Sequence, residues 1–373
     1  MKKMDTERWL FTENPAVMFE NTKVGRCKKE VWDATPEEID RILKEDYEIP
    51  SPSELSKAGC YIQTTPRAQQ IEKRRKNDVV LVPIACTENH GMHCPTGQDL
   101  FQVTMFLEGI RRHSAKLGKE VNIAWPPLLY GGHPYHHIGM PGTVIMPQEV
   151  VVETVVATML GLWDDGYRKI ILVNNHGHLW NLVTGIQEFC RRYQLPGIYQ
   201  VFDWHRSTRE FFLPNNGLEN SFDTGFSHAC EGETSLGLLM FPEMIDMSKA
   251  VDTTPVSNLS DGWFDNSTDD GRRPHRWDEG EGHQMIERFG TPEGVVGSPT
   301  LATADKAKRP VVAICRLLEC LIDDILERYP AGKVPEGVSM RSAEELAPFL
   351  KEPLSEGWKS VWELPRIGPA EHL

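Results

Sequence analysis

The chain has 373 residues, 40% hydrophobic and 25% charged, enough for one large core or for one domain with additions. With 40 Lys and Arg against 54 Asp and Glu its formal charge is -14, which repels phosphate backbones and excludes nucleic acid as a partner. No apolar run reaches the ~20 residues of a membrane helix, and Met1-Lys2-Lys3-Met4-Asp5 has no apolar core of the kind a signal peptide needs. Eight scattered cysteines without a CxxC pair point to reduced thiols in the cytoplasm rather than to a disulfide framework.

In chain order, residues 1–75 read as an irregular or helical N-terminal extension. Within it Thr35 can cap a short helix to about Glu45, with Pro36 at its first position. From Val79 the character changes. Val79–Ile84, Val121–Trp125, Lys169–Val173 and Ile198–Phe202 are short apolar runs of the kind that form strands buried on both faces. Between them Leu100–Leu117, Gln148–Asp165 and Leu182–Tyr193 show helical periodicity. This alternation predicts the α/β class: a single domain over 76–330 with a mostly parallel sheet flanked by helices. Residues 252–290, rich in Asp, Gly and Arg, read as a polar insertion or lid. Residues 301–329 return to helix, and 331–373 read as a C-terminal tail over the surface.

Three polar clusters follow apolar runs. The first, after Val79–Ile84, offers Glu88, His90 and Asp99 on a loop containing Gly91, Pro95 and Gly97. The second, after Lys169–Val173, is Asn174-Asn175-His176-Gly177-His178. The third, His228-Ala229-Cys230-Glu231-Gly232-Glu233-Thr234-Ser235, leads into the apolar helix Leu236–Met240. Each has an ordinary reading when taken alone: a hydrogen-bonded loop, a structural histidine, an acid at a helix N-terminus. Together they place carboxylates and imidazoles at the carboxyl ends of parallel strands, where α/β proteins bind ligands. Oxygen and nitrogen donors of this kind suit Zn2+ or Mn2+.

The order Glu-x-His-Gly-x-His-x-Pro-x-x-x-Asp, Asn-x-His, then His-Ala-x-x-x-Glu-Thr-Ser resembles the creatininase (creatinine amidohydrolase) family. Tyr130-Gly131-Gly132 through His137-Ile138-Gly139-Met140-Pro141-Gly142-Thr143 is similar to that family's Tyr-Gly … His-x-x-Phe-Pro-Gly-Thr stretch, with Met140 in place of Phe. Gly294–Pro299 resembles its Gly-Val-x-Gly-Asp-Pro turn. The matches run from residue 79 to about 310 in the family's order.

The resemblance implies two divalent ions per chain, Zn2+ or Mn2+. Glu88 and His176 would hold one and His90 the other, with Asp99 bridging and Glu233 a ligand or general base. His228 would stand beside the substrate and stabilise an oxyanion or protonate the leaving group. His178 occupies a position that is a metal-binding Glu in creatininase proper, and here is a further ligand or a substrate contact. His137, His178 and Trp204 are the candidate substrate contacts. The family's Trp shortly before the His-Ala motif is missing, its position flanked by Phe222 and Phe226, which points away from creatinine.

The expected reaction adds an activated water to a carbonyl of a small polar, cyclic molecule and opens its ring. A keto-inositol of the dehydro-scyllo-inosose type, met in inositol catabolism, is the preferred substrate. The alternatives are an amidohydrolase cleaving a C–N bond and a non-catalytic scaffold that keeps metals for stability. The resemblance also implies a homo-oligomer, with a hexamer as one form.

Overall fold

The computed structural model describes residues 7–132, 140–253, 293–336 and 341–367. Its N-terminal arm opens with an antiparallel hairpin, β1 (Trp9–Phe11) and β2 (Met18–Glu20), followed by α1 (Lys23–Asp33), α2 (Pro36–Arg41) and α3 (Arg67–Lys76). The Thr35 hydroxyl accepts from the Glu38 N–H at 3.2 Å and Pro36 takes the first helical position, so α2 starts where its sequence directs. The helix continues as a π-helical turn over Ile42–Tyr47 and stops at Glu48, whose φ of 54° is left-handed. Phe19, Trp32, Ile39 and Tyr47 are buried in the same core as the sheet, so the arm packs into the body of the protein.

The body alternates strand and helix: β3 (Val79–Ile84), α4 (Gln98–Lys116), β4 (Asn122–Ile123), α5 (Gln148–Asp164), β5 (Lys169–Asn174), α6 (Leu179–Tyr193) and β6 (Ile198–Asp203). Then come α7 (Trp204–Ser207), α8 (Glu231–Met240), the long α9 (Ala304–Arg328) and the short α10 (Ala343–Leu346). Among the described residues the main sheet has the order β4-β3-β5-β6, all parallel, which is the predicted α/β architecture. All residues of β3 and β5 are buried because both faces are covered. Val79, Leu81, Ile171 and Val173 face a core shared with α4, α8 and α9. Val80, Val82, Ile170 and Leu172 face a second core shared with α5 and α6.

Proline in a central strand needs an explanation, since it cannot donate to the ladder. Leu81 O accepts from Ala124 N on the β4 side, and Ile84 O accepts from Asn175 N on the β5 side. Alternation therefore turns Pro83 toward β4, beyond the Val80–Leu81 stretch that β4 pairs with. The missing N–H falls where no strand asks for it. β4 itself is shorter than the run at 121–125 suggests, because Pro126 and Pro127 follow directly and the Trp125 N–H is given to the Gln63 side chain.

The polar insertion expected at 252–290 lies, from residue 254 onward, outside the described residues, as do His133, His136 and His137. Residues 341–367 run along α5 and α6. Arg341 Nε donates to Tyr193 O at 2.6 Å, Val361 N donates to Asp164 Oδ1 at 2.7 Å, and Leu346, Val361 and Leu364 join the second core. No helix among the described residues is long and apolar enough to cross a membrane.

At the amino end of the sheet the fully buried Lys169 ammonium is paired with Asp78, which also accepts from the Gly332 N–H at 3.0 Å. Removing one partner of such a pair leaves an uncompensated charge. Asp78→Ala should therefore lower the unfolding free energy by about 3–5 kcal/mol, measured by urea denaturation. A change within half a kilocalorie would show the pair to be solvated.

Candidate metal centre

The chain leaves β3 at the centre of the sheet and moves one way to β4, then returns to the other side of β3 for β5 and β6. The carboxyl ends of β3 and β5 thus flank a topological switch point, where a crevice opens in α/β sheets. Glu88 and His90 follow β3, and His176 follows β5. Asp99 lies in the first turn of α4 and Glu233 in the first turn of α8, so both carboxylates gain from a helix N-terminus.

The loop after β3 is held from several directions. Glu88 N donates to Thr96 O at 2.9 Å, Asn89 N to Thr143 Oγ1 at 2.8 Å, and Asn89 Nδ2 to Pro141 O at 2.8 Å. Gly294, with φ of 72°, packs so closely that a Cβ there would stand 1.9 Å from Asn89 Oδ1. Ala229, a non-glycine with φ of 50°, sets His228 and Glu233 on the same side of the turn into α8, and its N–H donates to Glu233 Oε2.

Three imidazoles meet these carboxylates. His90 Nδ1 lies 3.1 Å from Glu88 O; a carbonyl only accepts, so Nδ1 carries the hydrogen and the lone pair of a neutral ring sits on Nε2. That atom is buried, makes no hydrogen bond among the described residues, and stands 3.4 Å from Asp99 Oδ1 and 3.5 Å from Glu233 Oε2. A lone pair aimed at two carboxylate oxygens calls for a cation between them. His176 Nδ1 is 3.0 Å from Glu88 Oε2 and 3.3 Å from Asp99 Oδ2. His228 Nε2 bonds Asn89 O at 2.6 Å, which turns Nδ1 to Glu88 Oε1 at 3.5 Å. Two donors each about 2.1 Å from a tetrahedral ion stand about 3.4 Å apart, so the separations of 3.3 to 3.5 Å fit metal ligation, while the 3.0 Å between His176 and Glu88 suits a hydrogen bond as well.

The donors fall into overlapping groups: Glu88, Asp99 and His176 with Cys86; His90, Asp99 and Glu233; and Glu88, His90 and His228. Asp99 turns one oxygen to each of the first two. The protein's own electrostatics show the same demand for positive charge. Burial pulls His90 and His176 down, but Asp99, Glu233 and Glu88 around the first and Glu88 and Asp99 around the second push both up to about 10. Burial works against the charge on Asp99, yet His90 and His176 hold it well below the usual carboxylate range. Burial, with Asp99 and Glu88 nearby, raises Glu233 above that range despite His90.

A buried amide chain supports this shell. Trp204 Nε1 donates to Asn175 Oδ1 at 2.6 Å, and Asn175 Nδ2 donates to Asp99 O at 2.7 Å and Gln102 Oε1 at 3.2 Å. Gln98 and Gln102 both donate to Glu233 O, at 3.3 and 3.2 Å. Trp204 is 2% exposed among Phe106, Phe212 and Phe226, so it reaches the centre through Asn175 rather than by lining a pocket. His178 is fully buried as the cap residue of α6. Its ring stands edge-on to that of His176, 4.7 Å away, and it belongs to none of the donor groups. Gly131 lets the chain pass against it, since a Cβ there would lie 2.7 Å from His178 Nδ1. Sequence reasoning missed Cys86, Asn175, Gln98 and Gln102. Cys86 had a signal, two positions before Glu88, whereas the amides carry none.

Carboxylates and imidazoles gathered around shared positions at the carboxyl edge of a parallel sheet are the equipment of a metal-dependent hydrolase. A family profile, Creatininase (creatinine amidohydrolase), matches residues 63–325. The chain is 40% identical over 306 residues to a Thermotoga maritima protein named 3-dehydro-scyllo-inosose hydrolase, covering 82% of this chain and 96% of the relative. A solved structure described as creatininase Mn matches with TM-score 0.52 and 18% identity, over 73% of this chain and 99% of that one. A mutant creatininase of Zn-Zn type matches with TM-score 0.53 and 18% identity, over 74% and 100%. The chain belongs to the creatininase family, and it is a metal-dependent hydrolase.

Because His90 and His176 hold protons at neutral pH in metal-free protein, loading with divalent ions must displace them. Zinc or manganese uptake at pH 7 is expected to release protons, and affinity to rise as pH climbs toward the raised values. Calorimetry in buffers of different ionisation enthalpy checks this, and pH-independent uptake would contradict it. Trp204→Phe keeps the aromatic packing but removes the donor to Asn175. It should weaken metal binding about tenfold with an unchanged circular dichroism spectrum, whereas unchanged affinity would reduce Trp204 to a core residue.

Proposed function

We propose that this chain opens the ring of a cyclic polyhydroxy diketone of the dehydro-scyllo-inosose type, using two divalent ions held by Glu88, His90, Asp99, His176 and Glu233. The observation that carries the reading is the placement of Asp99, one oxygen toward His90 and Glu233 and the other toward Glu88 and His176. The substrate class follows the 40% identical relative, whose length is covered almost completely. Zinc and manganese are both compatible with oxygen and nitrogen donors, and solved creatininases are described with each. When bound, such ions polarise a carbonyl and make water nucleophilic at neutral pH.

The chain's own groups then have separate tasks. Ala229 N–H holds Glu233 Oε2, which leaves the other oxygen to take a proton from the attacking water. Water adds to one ketone carbon, the bond from that carbon to its neighbour breaks, and the neighbour departs as an enolate conjugated with the second ketone. A proton returned to that carbon completes a ring-opened keto acid. His228, anchored through Nε2 to Asn89 O, presents the opposite edge of its ring to the centre, where it can stabilise the developing negative charge. His178 and His137 are further candidate substrate contacts in this reading, and cytoplasmic location and a homo-oligomer, a hexamer among the forms, remain part of it.

The test is a panel of dehydro-inosose, creatinine and small formamides with metal-replete protein. Ring-opened acid from the inosose with creatinine untouched is the expected result; turnover of creatinine or a formamide instead would assign the amidohydrolase alternative. Glu233→Gln should lower kcat by about 10²–10⁴, and Asp99→Ala should lose both bound metal and activity. Full activity of Asp99→Ala would overturn the two-ion reading.

A further inference from the structure

Cys86 has no part in that reaction, although its sulfur stands inside the ring of donors. The residue is 1% exposed, and Sγ lies 3.2 Å from Asp99 Oδ2 and 3.7 Å from Glu88 Oε2. Together with His176 Nδ1, these atoms all lie within 4.8 Å of one another. A thiolate about 2.3 Å from a tetrahedral zinc ion stands about 3.6 Å from an oxygen ligand of the same ion, and the two separations straddle that value. The Cys86 side chain is packed closely at its base, since a Cβ on Gly131 would stand 2.9 Å from Cys86 Cβ.

The two halves of the centre therefore differ in chemistry. The half made by His90, Asp99 and Glu233 offers only nitrogen and oxygen, which serve zinc and manganese alike. The half made by Glu88, Asp99 and His176 has sulfur beside it, a soft donor that suits zinc and not manganese. We propose that Cys86 is a fourth ligand, through its sulfur, of the ion held by Glu88, Asp99 and His176, and that it makes this position selective for zinc over manganese. The proposal rests on the two-ion reading. The thiol proton passes to the solvent as the metal–sulfur contact forms. Anionic Cys86, Glu88, Asp99 and Glu233 then balance the four positive charges of two divalent ions. Of the two cysteines near Glu233, Cys230 has a sulfur that accepts from Ser227 N at 3.2 Å, and Cys94 lies beside Thr234 and Gln98; neither belongs to a donor group among the described residues.

X-ray absorption at the zinc edge of the zinc-loaded full chain tests this without reference to activity. The wild type is expected to show a zinc–sulfur shell at about 2.3 Å, and Cys86→Ser to lose it while still taking up zinc. In competition between equal zinc and manganese, Cys86→Ser should lower the preference for zinc by about tenfold, the size of effect that outer-shell partners have on metal affinity. Cys86→Ala is the fold control, with the melting curve of the metal-free form as its readout. Two zinc ions per chain with no sulfur shell, or a shell that survives in Cys86→Ser, overturns the proposal and leaves the two-ion reading intact. A wild-type chain that takes up no metal under metal-replete conditions overturns both.

Discussion

His90 is committed through Nδ1 to the carbonyl of Glu88, and its remaining nitrogen points at two carboxylates from two different helices. In a buried space such an arrangement is stable only when positive charge sits among the groups, as a proton or as a metal ion. Much of the surrounding fold can be understood as keeping that conflict in place. The parallel sheet delivers two loops from adjacent strands to one crevice. The N-termini of α4 and α8 bring carboxylates that helix dipoles favour. A chain of amides, Asn175, Gln98 and Gln102, ties the backbones of Asp99 and Glu233 together so that neither helix can withdraw its acid from the other.

That crevice was legible in the sequence because it depends on local signals. Val79–Ile84 and Lys169–Asn174 are too apolar to be anything but strands covered on both faces, and ligands follow where such strands end. α2 was legible through Thr35 and Pro36, since capping is a property of neighbouring residues. The hairpin of β1 and β2 was not, because three residues per strand are too few to show alternation. Trp204 illustrates a different limit. A sequence places an indole near the end of β6 but does not tell which way the ring turns, and the aromatic neighbours that draw it inward come from α4 and from residues 212 and 226. Cys86 was read only as a reduced thiol, since what matters about it is the distance to Asp99, thirteen positions away.

The loop after β3 has two duties that bear on how one metal centre can serve several substrates. It supplies Glu88 and His90, and its own carbonyls orient two of the imidazoles: Glu88 O holds His90 and Asn89 O holds His228. The same Asn89 fastens this loop to two outer segments, through its side chain to Pro141 and through its backbone to Thr143 on one side, and by the close approach of Gly294 on the other. The outer segments therefore register on the metal loop through Asn89, by its backbone and its side chain, and not through the ligand side chains. The Thr143 hydroxyl and the Asn89 side-chain amide take part in these bonds, so replacing either side chain would loosen the loop that carries Glu88 and His90. In this chain Met140 stands where the family pattern has Phe, directly before the Pro141 whose carbonyl receives Asn89. The bond beside it is accepted by the Pro141 main-chain carbonyl, so it does not depend on the side chain at 140.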